Sequence, residues 1–231
     1  MIGYLNKTVF NSNCDGLVNT VNCVGAMGAG LALEFSLRYP EMKKKYEDDC
    51  KSKRVKIGEI ITYKEKDCLI VGFPTKLHWK YPSELKWISD GLDYMARHYK
   101  EWNIRSIAIP PLGCSNGGLN FELEVKPLIE SKLKDIDLDV FICVDPGIAE
   151  GKEKLMLDEF NGSDIEELCD YLKIKGRSRD ALLVIGNVDR FYMIKDLNNV
   201  GFVTYKKLFD YFYNDGTAIR KEKKPSTLFD L

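Results

Sequence analysis

The chain has 231 residues, 45% of them hydrophobic and 30% charged, which is enough for a packed core and excludes wholesale disorder. A formal net charge of −1 excludes a protein that coats duplex DNA through bulk positive charge, while leaving room for a local basic patch. No apolar run approaches the ~20 residues that span a bilayer, and the first residues lack the basic-then-apolar pattern of a secretory signal. Seven scattered cysteines without a CxxC pair, beside only two histidines, support neither a metal site nor a disulfide framework. A cytoplasmic protein with no metal, cofactor or membrane partner is expected.

In chain order, Val18–Val21 reads as a short buried strand that runs into a glycine loop. Leu31–Tyr39 has helical spacing, and Pro40 interrupts it. Strands are expected at Glu59–Tyr63 and Cys68–Phe73, joined by a charged turn, with Pro74 and Pro82 bracketing a loop. Ser83 is the expected N-cap of a helix running to about Lys100, whose apolar face is Leu85, Ile88, Leu92, Met95 and Tyr99. A strand at Ser106–Ile109 enters a second glycine loop, followed by a helix at Glu124–Leu133 and a strand at Leu138–Val144. Strand–helix alternation of this kind implies an α/β layered fold with helices on both faces of a sheet.

Asp145-Pro146-Gly147 marks a boundary, closing a first domain at 1–147. Beyond it the pattern suggests a small α+β appendage at 149–216. Its expected parts are a helix opened by Ser163-Asp164, a strand at Ala181–Ile185, an apolar run at Phe191–Ile194 and a helix at about Thr204–Tyr213. Residues 217–231 form a basic tail that ends in an apolar anchor.

Two loops carry the chemistry. The first contains Gly25, Ala26, Met27, Gly28 and Gly30 and leads straight into a helix. Glycines let backbone amides approach an anion, and a helix N-terminus adds partial positive charge, so the loop suits a phosphate. Its glycine order, G-x-x-G-x-G, is neither the dinucleotide fingerprint nor a P-loop. The second loop, Gly113, Cys114, Ser115, Asn116, Gly117 and Gly118, again leaves a strand and enters a helix. Neither supplies carboxylates for Mg²⁺, so the pair suits a diphosphate held by amides. Cys23 and Cys114 have no adjacent base in sequence and read as small loop residues rather than nucleophiles.

Asp15-Gly16-Leu17-Val18-Asn19-Thr20-Val21-Asn22 with the Gly25–Gly30 loop closely resembles the first signature of macrodomains, the ADP-ribose-binding fold. Together with Phe73-Pro74-Thr75-Lys76, His78-Trp79 and the second loop, the pattern is similar to macrodomains of the DarG type. These are antitoxins that remove ADP-ribose from thymidine in single-stranded DNA. The likeness covers roughly residues 1–145. It implies a three-layer α/β/α macrodomain with a mixed central sheet, with Asn22 bonding the distal ribose, both loops holding the diphosphate and Lys76 as the catalytic lysine. It also implies two partners: single-stranded DNA carrying ADP-ribosylated thymidine, and a cognate DNA ADP-ribosyltransferase. Many macrodomains place an Asp near the end of the first strand to read adenine; here the nearest match is Thr8, so the adenine subsite stays open. Related hydrolases of protein carboxylate esters carry an acid in the second loop where this chain has Gly117.

Thr75 to Tyr81 interleaves cations and aromatics, as a single-strand-binding surface does, and His78, Trp79 and Lys80 are the expected DNA contacts. An ordinary surface loop with Trp79 tucked onto the core is the plainer alternative. Lysine attacks carbon only when unprotonated, so Lys76 requires a depressed pKa. The tail resembles sliding-clamp-binding peptides, with Leu228, Phe229 and Leu231 as anchors; a terminus folded back on its own domain is the alternative. Two rival functions remain at this level: a non-catalytic binder of ADP-ribose or a related nucleotide signal, and a hydrolase of another ADP-ribose adduct.

Overall fold

The computed structural model describes residues 1–215. The expected anchor residues Leu228, Phe229 and Leu231 lie outside the described residues. The chain divides into one compact unit over Met1–Pro146 and a second that begins at Gly147.

The first unit is built on six strands: β1 (Ile2–Leu5), β2 (Gly16–Asn22), β3 (Ile61–Lys64), β4 (Leu69–Lys76), β5 (Ser106–Ile109) and β6 (Asp139–Cys143). Their order across the sheet is β1-β6-β5-β2-β4-β3. Every pairing is parallel except β3 with β4, so the sheet is mixed. Helices α1 (Gly30–Arg38) and α2 (Pro40–Lys51) precede β3, α3 (Leu85–His98) links β4 to β5, and α4 (Lys126–Leu133) links β5 to β6. After β4 the chain passes β2 to reach β5, so β2 lies between strands reached in opposite directions. In open α/β sheets ligands bind outside the carboxyl ends of strands at such a switch point.

Alternation along β2 divides the core between the two faces. Val18 packs with Val71, Phe73, Ile107, Ile109, Val140 and Ile142 against Ile88, Leu92 and Met95 of α3 and Ile129 and Leu133 of α4. Leu17 and Val21 point the other way, joining Ile70, Ala108 and Cys143 against Phe35 of α1 and Met42 and Tyr46 of α2. Two helical layers therefore enclose the sheet.

Several boundaries differ from the sequence reading. The edge strand β1 and helix α2 are additional elements. Pro40 does interrupt the first helix, but it also starts α2, taking an early position where its missing N–H costs nothing. Strand β3 starts at Ile61 rather than Glu59, and β4 continues through Pro74 to Lys76 instead of ending at Phe73. A central proline is tolerated because the register slips beside it: Val21 pairs with Pro74 but Asn22 pairs with Lys76, leaving Thr75 as the extra residue of a bulge. Ser83 does not cap α3. Glu84 is the flanking residue and no side chain caps that end, while Ser83 lies buried one position upstream. The helix expected from Glu124 opens as one wide turn over Phe121–Val125, capped by the Asn120 side chain, before α4 proper.

Over its described residues the second unit contains four α-helices: α5 (Gly151–Asn161), α6 (Ile165–Tyr171), α7 (Arg177–Leu183) and α8 (Phe202–Asp210). The strand expected at Ala181–Ile185 is instead the end of α7 and its exit, so the described part of this appendage is helical rather than α+β. An apolar run of five residues fits a strand and one buried helical turn equally well, and here Leu182 alone is fully buried. Phe191–Ile194 is likewise a tight helical turn. The Asp164 carboxylate caps α6, accepting from Glu166 N and Glu167 N. Aromatic rings fill the centre: Phe191 lies against Phe160, Phe209 and Phe212 at centroid distances of 6.1, 6.1 and 5.9 Å. Beside them Arg190 makes a buried two-pronged ion pair with Glu153, whose Oε1 also accepts from Phe191 N.

Candidate functional site

Strands β2, β4 and β5 are neighbours, and the loops leaving their carboxyl ends hold nearly all the residues singled out in the sequence. The first loop is shaped by one side chain. Asn22 Nδ2 donates to Ala26 O at 2.6 Å, and Asn22 Oδ1 accepts from Val24 N and Ala26 N at 3.1 and 3.2 Å. The Tyr46 hydroxyl secures the same residue, donating to Asn22 O at 2.5 Å and accepting from Asn22 N at 3.2 Å. Sequence reading missed this anchor, since it comes from the middle of α2. Gly25 takes a φ of +82°, a left-handed conformation that a side chain resists. The space in front of Gly28 is empty to 4 Å. No side chain caps α1, so its first amides are left to whatever occupies the cleft.

The second loop is shaped by contact between backbones. Leu119 N donates to Gly113 O at 3.1 Å, Gly118 N to Cys114 O at 3.0 Å, and Ser83 N to Gly117 O at 2.9 Å. A Cβ on Gly117 would lie 2.1 Å from Gly113 O and 2.4 Å from Ser83 Oγ. No side chain, acidic or otherwise, fits at that position. The Ser83 hydroxyl beneath the loop is buried and has no hydrogen-bond partner among the described residues, and the same holds for both polar atoms of the Asn19 side chain.

Asn116 is where the three motifs meet. A Cβ on Gly30 would come within 3.5 Å of Asn116 Nδ2, which puts the start of α1 against the second loop. The Lys76 ammonium donates to the Asn116 carbonyl from the end of β4. Lys76 is half-buried, and that burial lowers its pKa from the usual lysine value. On the backbone, Cys23 N donates to Lys76 O at 3.1 Å, tying the first loop to the same strand end. Lys76 thus touches both loops, the second through its ammonium and the first through its backbone carbonyl.

The thiols beside the lysine are inert by comparison. Burial pushes the pKa of both Cys23 and Cys114 up to about 11, so neither is a thiolate near neutrality. Thr8 follows β1 and bonds locally, accepting from Asn11 Nδ2 at 3.2 Å. Among the described residues no group of three His, Cys, Asp or Glu is placed to hold a metal ion, and no helix is long and apolar enough to cross a membrane.

Past Lys76 the chain presents rings to solvent. Trp79 is 54% exposed and Tyr81 64%, so Trp79 is not tucked onto the core. His78 stacks on Trp79 at 5.5 Å and lies at a tilt 5.7 Å from Tyr81, while Lys80 Nζ sits 5.2 Å from the Trp79 ring centre. Tyr81 extends the same exposed aromatic surface beyond the three residues expected from the sequence.

An α/β sheet whose switch point is flanked by two amide-rich loops and an uncapped helix has the chemistry to hold an anion. A model of the Macro domain family matches residues 18–126. Macrodomain of Mycobacterium tuberculosis DarG superposes with a TM-score of 0.58 at 43% identity, covering 62% of this chain and 97% of that one. Thermosipho africanus DarTG in complex with ADP-ribose gives 0.59 at 32% identity, over 65% of this chain and 43% of that one. The DNA ADP-ribosyl glycohydrolase of M. tuberculosis strain H37Rv is 42% identical over 147 residues, 61% of this chain and 42% of that protein. Through its first unit, the chain belongs to the macrodomain family. It spans about two fifths of the length of the first curated relatives it matches.

Proposed function

We propose that the first unit is a hydrolase that removes ADP-ribose from thymidine bases in single-stranded DNA, reversing a DNA ADP-ribosyltransferase. The observation that carries this is Lys76: an amine of lowered pKa that touches Asn116, the point at which the two glycine loops meet. Similarity to DNA ADP-ribosyl glycohydrolases in sequence, and to a DarTG solved with ADP-ribose, supports the substrate class.

In this reading the amides of both loops and of the first turn of α1 hold the diphosphate. Asn22 Nδ2 carries a second N–H beyond the one given to Ala26, and that proton serves the distal ribose. The unprotonated Lys76 amine attacks ribose C1″; a C–N bond forms there as the bond to the thymine ring nitrogen breaks, and the electron pair leaves with the base. The attacking nitrogen gives up a proton to the departing base, opening of the C1″–O4″ bond turns the resulting glycosylamine into an imine, and its hydrolysis by water frees the lysine and ADP-ribose. A thymine imide nitrogen leaves as a stabilised anion and needs no strong acid, which accords with a Gly117 position that has no room for one. His78, Trp79 and Lys80 would hold the flanking strand through ring faces and charge. The terminal residues Leu228, Phe229 and Leu231 would anchor the chain to a sliding clamp, and deleting Leu228–Leu231 should then abolish clamp pull-down.

The test is incubation with an ADP-ribosylated single-stranded oligonucleotide. Release of free ADP-ribose over many turnovers is the expected result; a stoichiometric complex without release would make the unit a receptor instead.

A further inference from the structure

Outside the macrodomain, the strongest unassigned feature is the connection between α6 and α7. Lys173-Ile174-Lys175-Gly176-Arg177-Ser178-Arg179 places four cations in seven residues with no carboxylate among them. The turn is well defined. Lys173 takes a φ of +53°, Ile174 N donates to Cys169 O at 2.8 Å, and the Ile174 side chain is buried at 3% exposure, so the lysines on either side of it project outward. Lys207 of α8 reaches the same place, its ammonium donating to Leu172 O at 3.0 Å and Lys173 O at 3.3 Å.

The cations fall into two groups. Arg179 is occupied: it pairs with Glu166 at 3.1 Å and with Asp170. Lys173, Lys175 and Arg177 are exposed and make no ion pair with any described residue. Beside them the Tyr171 ring is 47% exposed and is held edge-on by Tyr211 at 5.6 Å. Unpaired cations next to a braced, open ring face are what an unpaired nucleic-acid strand requires, phosphates against charge and a base against the ring. A duplex groove suits the surface less well, because the cation furthest along α7, Arg179, is tied back and Asp180 is exposed next to it.

We propose that Lys173, Lys175 and Arg177, with Tyr171, form a second binding site for the backbone of single-stranded DNA, separate from the ADP-ribose cleft. The proposal rests on the reading that this chain acts on DNA, and it assigns the second unit the task of holding the strand irrespective of sequence or modification.

The test uses the full chain and an unmodified labelled oligothymidylate, followed by fluorescence anisotropy across a salt series. Lys173→Glu/Lys175→Glu/Arg177→Glu should weaken binding by about tenfold or more at low salt and flatten the log–log salt dependence by about 2, the slope expected for three neutralised phosphates on a single strand. The swap Lys173→Arg/Lys175→Arg/Arg177→Lys should restore binding, and circular dichroism should show both variants folded. Release of ADP-ribose from a modified mononucleoside, which has no strand to hold, should be equal in wild type and both variants. Unchanged affinity and salt slope in the charge-reversed chain would overturn the proposal, as would equal affinity for a duplex of the same length. A wild type that binds the oligothymidylate in this way but releases no ADP-ribose would overturn the hydrolase reading and leave the strand site standing.

Discussion

The two glycine loops face one cleft but are held by different means. The first is organised by a side chain: Asn22 bonds Val24 and Ala26, and Tyr46 fixes Asn22 from behind. The second is organised by exclusion, because at Gly117 the carbonyl of Gly113 and the hydroxyl of Ser83 take the space of any Cβ. A loop built by a side chain has room to adapt, as the open space before Gly28 shows. One built by backbone contact is held by its own packing and presents its amides ready-made. The lysine touches the second kind, so its amine is referenced to the stiffer wall of the cleft.

That contrast is testable by substitution. The largest effect should come from the group that touches both loops. Lys76→Ala should lower turnover on ADP-ribosylated single-stranded DNA by about a thousandfold or more while ADP-ribose binding, read by calorimetry, changes little. The sign of the pH dependence follows from the lowered pKa: below it the amine is protonated and cannot attack, so the rate should climb as pH rises through it and level off above, with a midpoint under the 10.5 of an ordinary lysine. A rate that does not change with pH across that range, in a chain still sensitive to Lys76→Ala, would sink the nucleophile role.

Gly117→Ala comes next. Forcing a methyl against a backbone carbonyl should cost about 1–3 kcal/mol in denaturant unfolding and distort the diphosphate seat, weakening ADP-ribose binding as well. Asn22→Ala should be milder for stability, about 1–2 kcal/mol, because the loop amides it satisfies can turn to water. Gly28→Ala should be the smallest, within about 0.5 kcal/mol of wild type, since nothing lies near the added methyl. If Gly28→Ala destabilises as much as Gly117→Ala, the two loops do not differ in the way described.

Much of this site was legible before any coordinates, because glycine order, strand ends and the segment after Pro74 are local features. The contact of Lys76 with Asn116 was not, since 40 residues separate them and only the β5-β2-β4 order brings them together. Helix α2 could have been read: Met42, Tyr46 and Cys50 recur at four-residue spacing and all three are buried, but its dense charge and the proline before it masked the pattern. The Ala181–Ile185 error has a different root. A short apolar run carries no period, and the decision between strand and helix lay with tertiary packing around Leu182. The Ser83 cap failed for a related reason. Its backbone N–H is bonded to Gly117 O, so the residue belongs to the floor of the second glycine loop rather than to the helix that follows it.

The slip between β2 and β4 has one more consequence. Successive side chains in a strand point to opposite sides, so the unpaired Thr75 changes the parity of everything after it. Were the pairing to run on without that slip, Thr75 would stand opposite Asn22, and the amine would emerge on the far side of the sheet. The direction in which Lys76 points is therefore a matter of counting by one. A deletion at Thr75 should keep the lysine opposite Asn22, whereas one extra residue inserted before Lys76 should leave every functional side chain in the sequence and turn the decisive one away from the cleft.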